Sequence, residues 1–170
     1  HVSAYGSGEQ NVSVWSSDTG ALRAKLFVSS GSSVWGLWSD AATGKPFVIG
    51  QYTTEWMRID SSGNLGLGVT PSAWGIGKAL QVNNASLMGY LNRLYSNANV
   101  YFDNTATPKY IASDYATSYQ QLNGQHQWHN APSGTAGNAI SFTQAMTLDA
   151  SGNLGVGTTS PTALSGFTSF

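Results

Sequence analysis

Alternation with period two runs through most of this chain. From Ile140 the even positions Ile140, Phe142, Met146 and Leu148 are apolar, broken by Gln144, while Ser141, Thr143, Ala145 and Thr147 take the other side. Such spacing places the two sets on opposite faces of a strand and predicts one buried face. A glycine-containing turn follows over Asp149 to Asn153, after which Leu154, Val156 and Thr158 alternate with Gly155 and Gly157. The same phrase occurs earlier. Met57-Arg58-Ile59-Asp60-Ser61-Ser62-Gly63-Asn64-Leu65-Gly66-Leu67-Gly68 returns as Met146-Thr147-Leu148-Asp149-Ala150-Ser151-Gly152-Asn153-Leu154-Gly155-Val156-Gly157, 89 positions on. Self-similarity at a fixed offset marks an architecture built by repetition.

Short β-type runs bounded by Gly, Ser, Asn, Asp or Pro cover much of the remainder: Val12 to Trp15, Leu22 to Val28, Val34 to Trp38, Phe47 to Ile49, Val100 to Phe102, Tyr110 to Ala112, Tyr119 to Leu122 and His126 to Trp128. Asn123-Gly124 between two of them predicts a hairpin, because both residues accept the positive φ of a type I′ turn. Trp38 precedes Asp60 at nearly the spacing by which Trp128 precedes Asp149, so the similarity extends upstream. The expected fold is all-β, with two tandem repeats of short antiparallel strands and hairpins and little helix. The divisions are 1–73 (core about 11–73), a connector at 74–96, and 97–170 (core about 97–163). The connector carries Leu80, Val82, Leu87, Met88, Leu91 and Leu94 in a pattern that separates neither strand from short helix.

Within each phrase two kinds of position stand out. Asp60, Gly63 and Asn64, and again Asp149, Gly152 and Asn153, are turn residues, the Asp side chain bonding its own backbone two residues on. Gly66, Gly68, Gly155 and Gly157 leave one strand face without side chains. Either another backbone packs closely there, or glycine permits a bulge or bend. For the close-packing reading, the expected neighbour is another copy of the chain. Pro71 and Pro161 end the two glycine strands by removing a ladder donor.

Composition narrows the function classes. Only 9% of the residues are charged, with a net charge of −1, so there is no electrostatic footprint for nucleic acid or an anionic membrane. Ser, Thr, Asn, Gln and Gly cover the surface instead, as in fibrous or extracellular β proteins. Cysteine is absent, which removes disulfides and thiolate ligands. No apolar run approaches the roughly 18 residues of a membrane-spanning helix. A unit of about 60 residues buries little core, so stacking or oligomerisation is the expected source of stability. The chain opens without Met and stops at Gly166-Phe167-Thr168-Ser169-Phe170, which reads as a fragment of something longer.

Candidate chemistry is sparse. The carboxylates are Glu9, Asp18, Asp40, Glu55, Asp60, Asp103, Asp114 and Asp149, and a glycan-cleaving pair would have to stand about 5 to 9 Å apart. The string from Asp60 to Asn64 lacks the alternating acidic ligands of a calcium loop. His126 and His129, three apart on a strand, point to opposite faces and cannot chelate one ion together. No Gly-x-Ser-x-Gly elbow occurs. Neither a cofactor nor a metal is expected, and no residue is assigned as catalytic. Trp35, Trp38 and Trp128, which adjoin predicted loops, are the candidate glycan-contacting aromatics, set against a packing role.

The repeated phrase, followed by Thr70-Pro71-Ser72 in one copy and Thr158-Thr159-Ser160-Pro161 in the other, resembles a recurrent module of bacteriophage tail fibres and related receptor-binding tail proteins. The match covers 57–72 and 146–161, and His129 to Asn138 is similar to what precedes the phrase in such proteins. The resemblance implies a parallel homotrimer with strands around a three-fold axis, on the outside of a virion. Its partners would be itself, other tail proteins and a host cell-surface polysaccharide or receptor, without nucleic acid or membrane insertion. Such fibres can carry an axial His-x-His metal site, whereas this chain reads His126-Gln127-Trp128-His129. The expected function is structural and adhesive rather than enzymatic. The alternatives are a carbohydrate-degrading tailspike segment using a carboxylate such as Asp40, Asp103 or Asp114, or a repeat of a bacterial surface adhesin or phage-derived tail-like particle.

Overall fold

A computed structural model describes residues 10–15, 22–28, 35–39, 46–51 and 54–162, the first three segments as strands and pairings only. Among them the chain is all-β, with no helix. The N-terminal strands β1 (Gln10–Trp15), β2 (Leu22–Val28) and β3 (Trp35–Ser39) form one antiparallel sheet. The main sheet has ten strands. These are β4 (Phe47–Gln51), β5 (Thr54–Ile59), β6 (Leu65–Leu67), β7 (Lys78–Val82), β8 (Ala85–Tyr90), β9 (Arg93–Ala98), β12 (Asp114–Leu122), β13 (Gln125–Gly134), β14 (Thr143–Leu148) and β15 (Leu154–Val156). A short hairpin of β10 (Val100–Phe102) and β11 (Pro108–Tyr110) stands apart from it.

In the main sheet the order is β15-β14-β13-β12-β9-β8-β7-β6-β5-β4. Every pairing is antiparallel except β6 with β7, which is parallel. Strands from both repeats and from the 74–96 connector thus share one sheet. The ambiguous apolar residues of the connector become β7, β8 and part of β9, joined by tight turns at Asn83-Asn84 and Leu91-Asn92. The Asn123-Gly124 hairpin forms as expected, with φ of 53° and 74° and Leu122 opposite Gln125.

Each repeated phrase folds as strand, turn and strand, with the same register. Met57, Arg58 and Ile59 oppose Leu67, Gly66 and Leu65, and Met146, Thr147 and Leu148 oppose Val156, Gly155 and Leu154. Between the strands, Asp60 Oδ1 accepts from the Ser62 and Asn64 backbone N–H at 2.9 and 2.8 Å, and Asp149 Oδ1 from Ser151 and Asn153 at the same distances. Gly63 and Gly152 take φ of 81° and 86°, which L side chains disfavour.

A third turn of the same build escaped the sequence reading. Asp103 Oδ1 accepts from the Thr105 and Thr107 N–H at 2.9 and 3.0 Å, and Ala106 occupies the glycine position at φ 61°. Its signal is an Asp with hydroxyl residues two and four places on. The missing glycine hid it.

The hydrophobic core lies on one face of the main sheet. Ala79, Met88 and Tyr95 form a row across β7, β8 and β9, joined by Trp74, Val100, Phe102, Tyr110, Ala116, Ala131 and Ile140. The β10-β11 hairpin and the 68–77 segment supply much of the cover. Tyr95 packs on Phe102 at 5.1 Å between ring centroids, and Tyr110 donates to Pro132 O at 2.7 Å.

The glycines divide into two kinds. A Cβ on Gly66 would run into Val69 O and come within 2.9 Å of Pro71 Cδ, and one on Gly155 would lie 2.7 Å from Thr158 Cγ2 and 3.1 Å from Pro161 Cβ. The close neighbour is therefore the same chain folding back, not a second copy. Gly68 and Gly157 have nothing within 4 Å, and their φ of 64° and 72° is what requires glycine.

Candidate assembly face

Register decides which side chains share a face, and it sorts this sheet unusually. On the covered face a polar row crosses six strands: Gln81, Ser86, Asn97, Ser118, His129 and Gln144 stand opposite one another in turn. Gln81, Ser86, Asn97 and Ser118 are buried and satisfied, whereas the buried Nδ1 of His129 has no partner among the described residues. Ser118 Oγ donates to Asn97 Oδ1 at 2.7 Å, Asn97 Nδ2 to Ser86 Oγ at 3.2 Å, and Ser86 Oγ to Val100 O at 3.0 Å. Gln81 Oε1 accepts from Trp74 Nε1 at 3.1 Å and from Ser72 N–H at 2.9 Å. Burial of those four side chains is tolerated because each finds partners.

The opposite face, uncovered among the described residues, is largely apolar, with Ser96, Thr117, Gln121, His126 and Asn130 as polar members across its middle strands. Leu65, Leu80 and Leu87 share one row, and Leu67, Val82 and Ala85 the next. Outward along the sheet lie Met57 and Ile59, then Ile49 and Phe47. In the other direction lie Leu94, then Tyr119 and Trp128, then Met146 and Leu148, then Val156 and Leu154. Val82 and Leu87 are 42% and 46% exposed, and Lys78, at one end, is the only charged side chain of this face among the described residues. Strand spacing of about 4.8 Å and a rise of about 3.3 Å give the face roughly 600 Å². That is the upper end of the largest patch on an ordinary monomer, and near the roughly 800 Å² per partner of a stable interface.

An aromatic cluster lies on this face. Tyr119 is 5.1 Å from Trp128 and 6.0 Å from His126 between ring centroids, and the Tyr119 hydroxyl meets His126 Nδ1 at 2.5 Å. Beside it a depression of about 340 Å³ is lined by Ser96, Ala98, Thr117, Tyr119, Trp128 and Asn130. His129 points the other way, packing against Phe142 at 5.8 Å, so the two histidines do lie on opposite faces. Burial lowers the His129 pKa, opposed by hydrogen bonds with the Gln144 side chain and the Ser118 backbone.

Of the candidate aromatics, Trp128 is thus half-buried within the apolar face. Trp35 and Trp38 fall in β3, opposite Val28 and Lys25, and their side chains lie outside the described residues. The spacing that equated Trp38 with Trp128 misled. Trp128 opposes Met146 whereas Ile49 opposes Met57, so Ile49 is the counterpart. The two-residue link between β4 and β5 replaces the longer link between β13 and β14.

Both copies also share a bulge that the sequence concealed, the register slipping at Trp56 and at Ala145. Their carbonyls accept from Gly68 and Gly157 N–H, each at 2.8 Å. This slip turns Gln144 to the covered face and explains its interruption of the apolar alternation.

The described carboxylates have structural partners. Asp60, Asp103 and Asp149 close turns, Glu55 pairs with Arg58 at 2.5 Å, and Asp114 accepts from Tyr115 N–H at 2.7 Å. Asp103 is held below the ordinary carboxylate pKa by the Thr105 hydroxyl first, and Asp149 by the Asn153 side chain first. Asp40 lies outside the described residues. No family model and no curated protein matches this chain.

Proposed function

We propose that the chain is a structural and adhesive segment of a phage tail fibre, assembled as a homotrimer that supports or forms a surface for host cell-surface polysaccharide. The observation that carries this reading is the uncovered apolar face, running across a sheet whose other face is already packed. Exposing it would be costly at about 25 cal/mol per Å² of apolar surface. Copies of the same chain offer the same surface in return.

Element lengths favour three copies. Facing sheets pack about 10 Å apart, which sets each about 5 Å from a shared axis, and a three-sided prism of that inner radius has sides near 17 Å. At about 3.3 Å per residue this is about five residues. Of the ten strands, β4 and β7 have five and β5, β8, β9 and β14 have six, while β6 and β15 have three and β12 and β13 have nine and ten. In such an assembly the short strands cross the axis and the ten-strand stack runs along it. Trp128 and Tyr119 then fill the interior, and glycan contacts fall to outward positions. The resemblance of the repeated phrase supplies the fibre context, and nothing in this role calls for a catalytic group.

Absence of cysteine makes a direct test simple. Val82→Cys places one thiol on the open face, and mild oxidation should link chains covalently in high yield. Cysteine at Thr135, outside that face, should leave them unlinked. Equal yields from the two variants would overturn the reading.

A further inference from the structure

The two copies of the repeated phrase end in different surroundings. In the first, Leu65-Gly66-Leu67 pairs in parallel with Leu80-Gln81-Val82. In the second, Leu154-Gly155-Val156 is the last strand of the sheet. Ladder phase fixes which backbone groups of that strand are spent. Asp149 N–H donates to Asn153 O at 3.0 Å and Gly157 N–H to Ala145 O at 2.8 Å, so the bonded pairs of this hairpin fall at 149/153, 147/155 and 145/157. Leu154 and Val156 therefore direct N–H and C=O away from β14. The same phase in the first copy, with Asp60 N–H to Asn64 O at 2.9 Å and Gly68 N–H to Trp56 O at 2.8 Å, aims Leu65 and Leu67 at β7.

A side chain repeats the contrast. Asn64 Nδ2 donates to Asp60 Oδ2 at 3.0 Å while its Oδ1 accepts from Ala79 N–H on the arriving strand at 3.1 Å. Asn153 Nδ2 makes the matching bond to Asp149 Oδ2 at 2.9 Å, but among the described residues its Oδ1 has no protein partner. The chain that folds back over Gly155 covers the sheet face, as it does over Gly66 where the edge is paired, so among the described residues the edge stays open. Leu154 and Val156 are 62% and 77% exposed, and β15 carries neither the charge nor the proline that commonly guards an edge.

We infer that the β15 edge is a docking site for one extended strand of another polypeptide, added in parallel and continuing the ten-stranded sheet through the interface that β6 and β7 already use. Its chemistry is that of β7: apolar residues at alternate positions toward the open face, small or amide residues between them, and a backbone N–H set opposite Asn153. Main-chain bonds supply the affinity in such strand addition, and the alternate side chains supply the selectivity. The inference stands whether the apolar face is covered by two further copies or by something else.

The probe is a labelled peptide of residues 72–84, titrated into the whole chain by fluorescence anisotropy and followed by residue-resolved amide exchange. Saturable binding is expected, with exchange slowed at Leu154 and Val156 and unchanged at Gly155, whose N–H already faces β14. Val156→Pro removes an outward donor without touching the β14 ladder, and should weaken binding at least tenfold, whereas Val156→Thr should retain it. Lack of binding at millimolar peptide would overturn the inference. So would protection that appears at Leu65 and Leu67, which would mean displacement of the chain's own β7, or equal affinity for the Pro variant.

Discussion

Pro71 sits against the bare Cα of Gly66, where an added Cβ would come within 2.9 Å of its Cδ, and Pro161 takes the equivalent place against Gly155 at 3.1 Å from its nearest atom. The glycine of each repeat is thus a fold-back site within one chain. Gly66→Ala and Gly155→Ala should destabilise the fold by about 1–3 kcal/mol, the range for overpacking. The loss should appear in denaturant midpoints at any protein concentration. A loss confined to assembly would contradict the assignment.

Two residues other than glycine and asparagine hold left-handed backbone in exposed turns. Ala106 lies at φ 61° in the third Asp-centred turn, and Leu91, 81% exposed, lies at φ 52° in the β8-β9 hairpin. Left-handed backbone costs an L residue about 1–2 kcal/mol, partly offset by the greater freedom of glycine in the unfolded chain. Ala106→Gly and Leu91→Gly should each raise stability, by about 0.5–1 kcal/mol on that balance. Thermal unfolding of each variant checks this.

How much was legible follows from where the signals lie along the chain. The phrase ending in Leu65 or Leu154 carried its turn and strands openly, because Asp, Gly and alternating apolar residues act within a dozen positions. The hairpin at Asn123-Gly124 was equally local. What could not be read depended on partners distant in sequence. Gln81, Ser86, Asn97 and Ser118 each look like a solvent-facing residue, and only the register between strands aligns them into a covered row. Alternation told that Leu80 and Gln81 face opposite ways, but not which face the chain would cover. The bulges at Trp56 and Ala145 were silent for the same reason, and they moved Gln144 off the apolar side. Of the candidate site, Trp128 stood out by residue type as a glycan contact and its place on this face came only from pairing with Tyr119 and Met146, while Ile49 was missed because nothing local ties it to Met57.

Stability should depend on pH through His129. Its folded-state pKa is pulled below the ordinary 6.5, mainly by burial, so the fold favours the neutral ring and the unfolded chain takes up the proton more readily. The contribution is whole above about pH 6.5 and is lost as pH falls through the folded value. Melting temperature should therefore fall between pH 7 and 5, and His129→Gln should flatten that part of the profile. At lower pH the Asp103 and Asp149 carboxylates, both held below 3.8, add a further loss as they protonate. A wild-type profile level from pH 7 to 5 would contradict the placement of His129.

The solution mass of the whole chain, by light scattering across a hundredfold concentration range, tests self-assembly through the apolar face most directly. The expected mass is three times that of one chain, falling to a single folded chain when Leu87→Asp puts a charge in the middle of the face. A wild-type chain that stays monomeric and well folded throughout, or a Leu87→Asp variant with unchanged oligomeric mass, would contradict the account.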